Sequence, residues 1–205
     1  MSQAKERPIL FSGHMVRAIL EGRKTVTRRP VKVQPRTKGD IGSYGLGQPF
    51  IRHPDPTKRN PECPYGRPGD RLWVRETHKI ATGKAGDSQA CVRYEADGDY
   101  QAKVLPLPEA IGPRTFDRTR PSIHMPRWAS RILLEITAVR VELLQDITEE
   151  QAEAEGVNFL RHVPDADETL TASQLFECLW SSINGDESWN GNPWVWVVEF
   201  KRIEP

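Results

Sequence analysis

The amino-acid sequence predicts an α+β fold whose sheet closes towards a small barrel, flanked by short helices. Three observations predict it. Apolar residues switch between helical and strand periods without a regular strand-helix-strand alternation, which argues against a doubly wound sheet. The strand candidates are short and interrupted by helices, which favours a barrel-like α+β sheet. Finally, 17 prolines and 15 glycines imply long irregular connections between them.

The first helix is expected over residues 12–22. Ser12 is placed to cap it, Met15, Val16, Ile19 and Leu20 form an apolar stripe, and Gly22 suits the left-handed position after its end. Thr25-Val26-Thr27 then turns β-branched and extended. The basic run Gly22-Arg23-Lys24-Thr25-Val26-Thr27-Arg28-Arg29 therefore straddles a helix-to-strand junction. Residues 30–69 lack a sustained period and read as a long surface loop. Residues 71–77 form a strand with Leu72, Val74 and Glu76 on its more apolar face.

Residues 78–121 read as a second irregular stretch around a short strand at 91–94. A long strand is expected over 131–141. A short helix follows over 146–156, with Thr148 and Gln151 at capping-box spacing and Gly156 after its end. Leu175, Phe176, Leu179, Trp180 and Ile183 mark a further amphipathic helix closed near Asn184-Gly185. The last strand, 193–201, presents Trp194, Trp196, Val198 and Phe200 as a bulky core face.

With 37% hydrophobic and 28% charged residues, the 205-residue chain fits one elaborated domain, 1–205, carrying loop insertions at about 30–68 and 78–120. No segment approaches the roughly 18 apolar residues of a membrane span. The N-terminus lacks a signal-peptide apolar region, so a cytoplasmic protein with no membrane partner is expected. Cys63, Cys91 and Cys178 sit in no CxxC or CxxH unit, which predicts reduced thiols and no metal site or cofactor. The net charge of +1 conceals an asymmetry. Residues 1–40 hold ten Lys or Arg against three acids, and residues 141–190 hold one Arg against twelve acids. Such a division either holds the two halves together or offers a cationic surface to an anion.

Strand parity turns Glu76 towards the apolar side, where an unpaired charge is costly, so it is either a functional carboxylate or the ion-pair partner of an arginine from the basic run. Arg127, Trp128 and Arg131 beside His124 offer cations and an aromatic face suited to phosphate contact and base stacking. Trp128 as a core residue and His124 as a hydrogen-bonded structural histidine are the plainer alternatives. Arg23, Arg28, Arg29 and Arg75 complete the candidate nucleic-acid-binding set.

The pieces 19–29, Gly69-Asp70-Arg71-Leu72-Trp73-Val74-Arg75-Glu76, Ile136-Thr137-Ala138-Val139, the helix from Thr148 to Gly156, and Val197-Val198-Glu199-Phe200, in this order, resemble the ASCH family. Residues 121–131, Pro-Ser-Ile-His-Met-Pro-Arg-Trp-Ala-Ser-Arg, look like the wording of ASCH proteins encoded by bacteriophages and prophages. The resemblance implies a PUA-like pseudo-barrel, a mixed and mostly antiparallel small β-barrel with short flanking helices, and a bacterial or phage-infected host cell. It covers roughly half the chain, leaving about 36–65 and 78–120 outside.

The resemblance also implies a cleft for a nucleoside, nucleotide or single-stranded nucleic acid. Small bacterial members of the family include an amidohydrolase that removes the acetyl group from N4-acetylcytidine. Carried over by motif, its reacting residues are Lys24, Thr27 and Glu155, although the last alignment can slip to Glu153. Such chemistry needs Thr27 as nucleophile, a base for its proton and a donor for the oxyanion, with Lys24 as the base if burial or neighbouring arginines lower its pKa. Strict strand parity would separate Lys24 from Thr27, so the two converge only if the turn after the helix includes Lys24. Glu155 is poorly placed for helix stability, since an acid in a last helical turn costs about 0.3–1 kcal/mol, and a role facing Lys24 would account for it. The alternatives are a module that binds RNA or DNA without chemistry and a metal-independent ribonuclease in which Glu76 or Glu155 moves protons.

Overall fold

The computed structural model describes residues 4–83, 88–98, 102–108, 116, 118–163, 167 and 169–204. In chain order these form β1 (Glu6–Leu10), α1 (Gly13–Leu20), β2 (Val26–Pro30), β3 (Ile41–Ser43), β4 (Pro49–Ile51), β5 (Arg71–Arg75), β6 (His78–Ala81), β7 (Gln89–Tyr94) and β8 (Ala102–Pro106). The second half adds β9 (Leu133–Leu143), α2 (Glu149–Ala154), α3 (Ala172–Asn184), α4 (Glu187–Asn190) and β10 (Trp194–Ile203), with short 3-10 turns between. The architecture is α+β, dominated by strands. Among the described residues no helix is long and apolar enough to cross a membrane.

The main sheet has the order β1-β5-β9-β10-β2. β1 runs parallel to β5, and the remaining pairs are antiparallel. β9 and β10 are the long central strands, with a bulge between Glu199 and Phe200. The edges are β1 and β2, and among the described residues no strand pairing joins them. One side chain does: Arg29 of β2 donates from Nη2 to the Leu10 carbonyl at the end of β1, at 2.8 Å. The sheet is thus open by backbone pairing and curled far enough for one arginine to bridge its edges.

Apolar faces close this sheet against the helices. Met15, Val16, Ala18 and Ile19 of α1 are buried, as are Leu175, Phe176, Leu179 and Trp180 of α3. Ser12 has the extended backbone of a cap, but only its carbonyl is used, accepting from Val16 N at 2.9 Å, so the expected side-chain cap is absent. Gly22 does take a positive φ of 75°. The Thr148–Gln151 capping box of α2 is formed in both directions. α3 has the same device in Thr171 and Gln174.

Two expectations need correction. Residues 30–69 are not a structureless loop, because β3 and β4 pair as a hairpin whose tip, 44–48, carries Gly45 and Gly47 with positive φ. In the second insertion the described residues form a three-stranded antiparallel sheet, β6-β7-β8; the short strand expected at 91–94 lies within β7, and the stretches beside it that read as irregular supply β6 and β8. Ile80, Ala90, Val92 and Tyr94 pack there with Met125 and Ala129 into a small core of their own. The core face expected of β10 is formed by buried Trp196, Val198 and Phe200 with Trp194 half-buried, and Val195 and Val197 are equally buried because the central strand is covered on both sides.

Candidate active site

α1 ends in a tight turn that lies against the end of α2. Both Arg23 N and Lys24 N donate to the Ala18 carbonyl, at 2.8 and 3.0 Å, and Thr25 N donates to the Ala154 carbonyl at 2.9 Å. Lys24 therefore belongs to the turn, ahead of β2, as convergence with Thr27 required. Gly156 makes the approach possible. Its φ is +80°, and a Cβ there would lie 3.0 Å from Ala18 Cβ and 3.1 Å from Lys24 Cβ.

The Lys24 side chain has no exposure, and its Nζ donates to Glu155 Oε2 at 2.7 Å, the Glu155 carbonyl at 2.7 Å and the Val26 carbonyl at 2.9 Å. Three acceptors meet the three N–H donors of an ammonium group. Burial pulls the Lys24 pKa below its ordinary value, the Glu155 carboxylate opposes this through its charge and hydrogen bond, and Arg29 and Arg28 add to the lowering. Phe11 covers the ammonium, its ring centroid 5.4 Å from Nζ.

Arg28, on β2, is also buried. Its Nη1 lies 3.4 Å from Glu155 Oε1, its Nη2 donates to Gln151 Oε1 at 2.6 Å, and Glu142 Oε2 is 3.6 Å away. Its guanidinium packs 5.9 Å from the Phe176 ring, while Nε has no hydrogen-bond partner. Thr27, buried and paired with Val198, makes no hydrogen bond to Lys24, whose Nζ bonds all go elsewhere. Thr27 instead shares with Glu155 and Arg28 a small cavity of ≈ 50 Å³, walled by Phe176 and Trp180 of α3 and rimmed by exposed Pro30 and Ile183. On the other flank of the basic run, exposed Thr25 lines a larger cavity of ≈ 220 Å³ with Gln151, Arg140 and Glu199.

The structure thus gathers Lys24, Thr27, Arg28 and Glu155. Glu153 is exposed, so Glu155 is the carboxylate that faces the basic turn. Glu76 is not part of this group. It is 1% exposed and held bidentately by Arg131, Nε to Oε1 and Nη2 to Oε2 both at 2.9 Å, so its partner is not an arginine of the basic run. Burial pushes the Glu76 carboxyl above its ordinary value, and the Arg131 guanidinium opposes that shift.

The expected wall around residues 124–131 does not form. Arg131 turns inward to Glu76 and Asp97 and lies over the Tyr94 ring, at 4.0 Å from its centroid. Arg127 pairs with Glu6 at 2.9 Å, and half-buried Trp128 packs on the small core of the β6-β7-β8 sheet. His124 is exposed beside a separate cavity of ≈ 330 Å³ lined by Arg118, Thr119, Arg120 and Pro121. Among the basic residues, Arg23 pairs with Glu21 at the surface, Arg29 spans the sheet edges, and Arg75 reaches the Ile123 carbonyl at 3.3 Å.

Sequence reasoning missed Gln151, Glu142 and the α3 aromatics as neighbours of the site. Gln151 carried a signal only for its cap, yet the oxygen that accepts from Thr148 N at 3.3 Å is the one that holds Arg28. Among the described residues no group of three or more His, Cys, Asp or Glu is arranged to hold a metal ion. No family model, curated protein or solved structure matches the chain.

Proposed function

We propose that the chain is an ASCH-type protein with a PUA-like pseudo-barrel, which binds a modified nucleoside or nucleic acid and hydrolyses an acyl amide on a nucleobase such as N4-acetylcytidine. The observation that carries this reading is that Glu155, from the second half of the chain, pairs with Lys24 and lines one small cavity together with Thr27 and Arg28. The edge-to-edge Arg29 bridge of the five-stranded sheet supports the pseudo-barrel.

The geometry favours a particular division of labour. With its three donors engaged, Lys24 is suited to remain an ammonium that fixes and polarises Glu155. Glu155, whose Oε1 has only the long Arg28 contact, is then the better proton acceptor for the Thr27 hydroxyl. In this scheme Thr27 Oγ attacks the acyl carbon, its proton passes to Glu155, and Arg28 Nε is a donor for the oxyanion. The nucleobase amine leaves with the proton from Glu155, and water releases the acyl group from Thr27 as the free acid.

The cavity of ≈ 50 Å³ is about the space of one or two waters, far below a nucleoside. Reaction on a nucleoside therefore requires this cavity to widen. This size also supports a second reading, a module that grips nucleic acid at the surface and does no chemistry. Assaying the purified protein on N4-acetylcytidine and its deoxy counterpart separates the two. Release of acetate by wild type and a loss of about 100-fold or more in Thr27→Val, which keeps the side-chain shape, is the expected result. Absence of acetate release, together with binding of RNA that weakens steeply with salt, would leave the binding module.

A further inference from the structure

The first insertion builds a further cavity, of ≈ 350 Å³, against the start of β1 and the turn before β5. Four cations line it, Lys5, Arg7, Arg59 and Arg67, against two acids, Glu62 and Asp70. Both acids are already engaged. Asp70 accepts from Arg7 Nη1 at 2.8 Å and from the backbone N–H groups of Lys5 and Arg67 at 3.0 and 3.3 Å. Glu62 accepts from Arg59 Nη2 at 2.6 Å and from Gln48 Nε2 at 2.5 Å. The side chains of Lys5 and Arg67 have no ion-pair partner among the described residues. The cavity therefore carries two positive charges beyond what its acids neutralise, on exposed residues that pay little desolvation until an anion arrives.

One wall is aromatic. Tyr44, at the hairpin tip, is 54% exposed, and its ring is braced by Phe50 at 4.3 Å between centroids. A braced ring with an open side is a stacking platform for a planar base. Gly42 lets Phe50 take that position, since a Cβ there would lie 2.3 Å from the Phe50 ring. Cys63, the one thiol of the cavity, is pushed up to about 11 by burial, so it is protonated at neutral pH and no nucleophile. The site is equipped to bind rather than to react, and its volume falls at the lower end of small-ligand pockets, roughly 300–1,000 Å³.

We propose that this cavity binds a nucleoside phosphate, with the phosphate between Lys5 and Arg67 and the base on Tyr44. A phosphate monoester carries roughly −1.5 to −2 charges at neutral pH, which matches the two unpaired cations, and the ring selects a planar partner over a simple anion. The site is separate from the cavity of Thr27 and Glu155 and does not depend on what that cavity does. The same group is presented by a free mononucleotide and by the end of a single strand.

Calorimetric titration of the whole chain with AMP, CMP, adenosine, inorganic phosphate, a 5′-phosphorylated single-stranded hexaribonucleotide and a hexaglutamate peptide tests it. The nucleoside phosphates should bind at least about tenfold tighter than adenosine or inorganic phosphate. The double variant Lys5→Ala, Arg67→Ala should weaken the mononucleotides at least about tenfold. Tyr44→Ala should weaken the nucleotides while leaving phosphate unchanged. A hexanucleotide that binds tighter than AMP and CMP makes a strand the source, and the reverse order makes it a free nucleotide. Either order is consistent with the proposal. No binding of any nucleotide, binding untouched by the double variant, or hexaglutamate binding as tightly as AMP overturns it. All three substituted side chains are exposed, so the variants keep the core intact. Deacetylation plays no part in these measurements, so failure here and failure at Thr27 are separate results.

Discussion

Lys24 and Glu155 pair at 2.7 Å with side-chain exposures of 0% and 4%, so each is the main compensation for the other's desolvation. Breaking such a pair from one side leaves a buried charge and costs about 3–5 kcal/mol. Lys24→Met and Glu155→Gln should each lower unfolding free energy in urea by about that amount. The double variant should lose less than the sum, by about 0.5–3 kcal/mol, since the second change removes the charge stranded by the first. Strict additivity would show that the two groups are not coupled. The same residues show what a sequence can reveal. An acid in a final helical turn, against the helix dipole, was a legible anomaly, and the lysine opposite explains it. That Arg28 would be shared among Gln151, Glu142 and Glu155 was not legible, because nothing local ties β2 to α2 and β9.

At the scale of elements, the site depends on how closely the end of α2 approaches the turn after α1. Gly156 sets that distance: at its φ of +80°, a methyl group would lie 3.0 and 3.1 Å from Ala18 Cβ and Lys24 Cβ and would press both outward. Gly22 has a similar φ of +75°, but nothing lies within 4 Å of the position a Cβ would take. Gly22→Ala should therefore cost only the left-handed backbone penalty of about 1–2 kcal/mol. Gly156→Ala should cost clearly more, because Lys24 must also move, and thermal unfolding of the two variants checks the difference. Equal losses would mean that the contact is easily relieved. Helix positions were readable here because capping boxes and left-handed glycines are local chemistry. The strands of the insertions were not, since β3, β4, β6 and β8 are short and their pairing partners supply most of the reason to be extended.

Across the whole molecule, the charge asymmetry of the sequence becomes an internal seam: Lys24 and Arg28 from the basic start meet Glu155 and Glu142 from the acidic second half. A second seam, Arg131 with Glu76 and Asp97, ties the β6-β7-β8 sheet to the main one, assisted by the Tyr94 hydroxyl donating to the Ala129 carbonyl at 2.8 Å. Arg131→Met keeps the apolar stem but strands Glu76. It should destabilise by about 3–5 kcal/mol and raise hydrogen exchange in β6, β7 and β8 more than in β9 and β10. Uniform acceleration would show that the two sheets open as one unit.

By itself the sequence determined the α+β class, three of the helices, the capping box of α2, the long strands and the opposite charge of the first segment and a later one. These follow from hydrophobic period, turn chemistry and charge, all of which act over a few residues or through composition. Only the tertiary structure decided that Lys24 lies in the turn rather than the strand, that Glu76 belongs to Arg131, and that the residues around His124 point three different ways. Each of these depends on which distant segment packs against a side chain, and side-chain partners are fixed by packing across the sheet, not by neighbours in the chain.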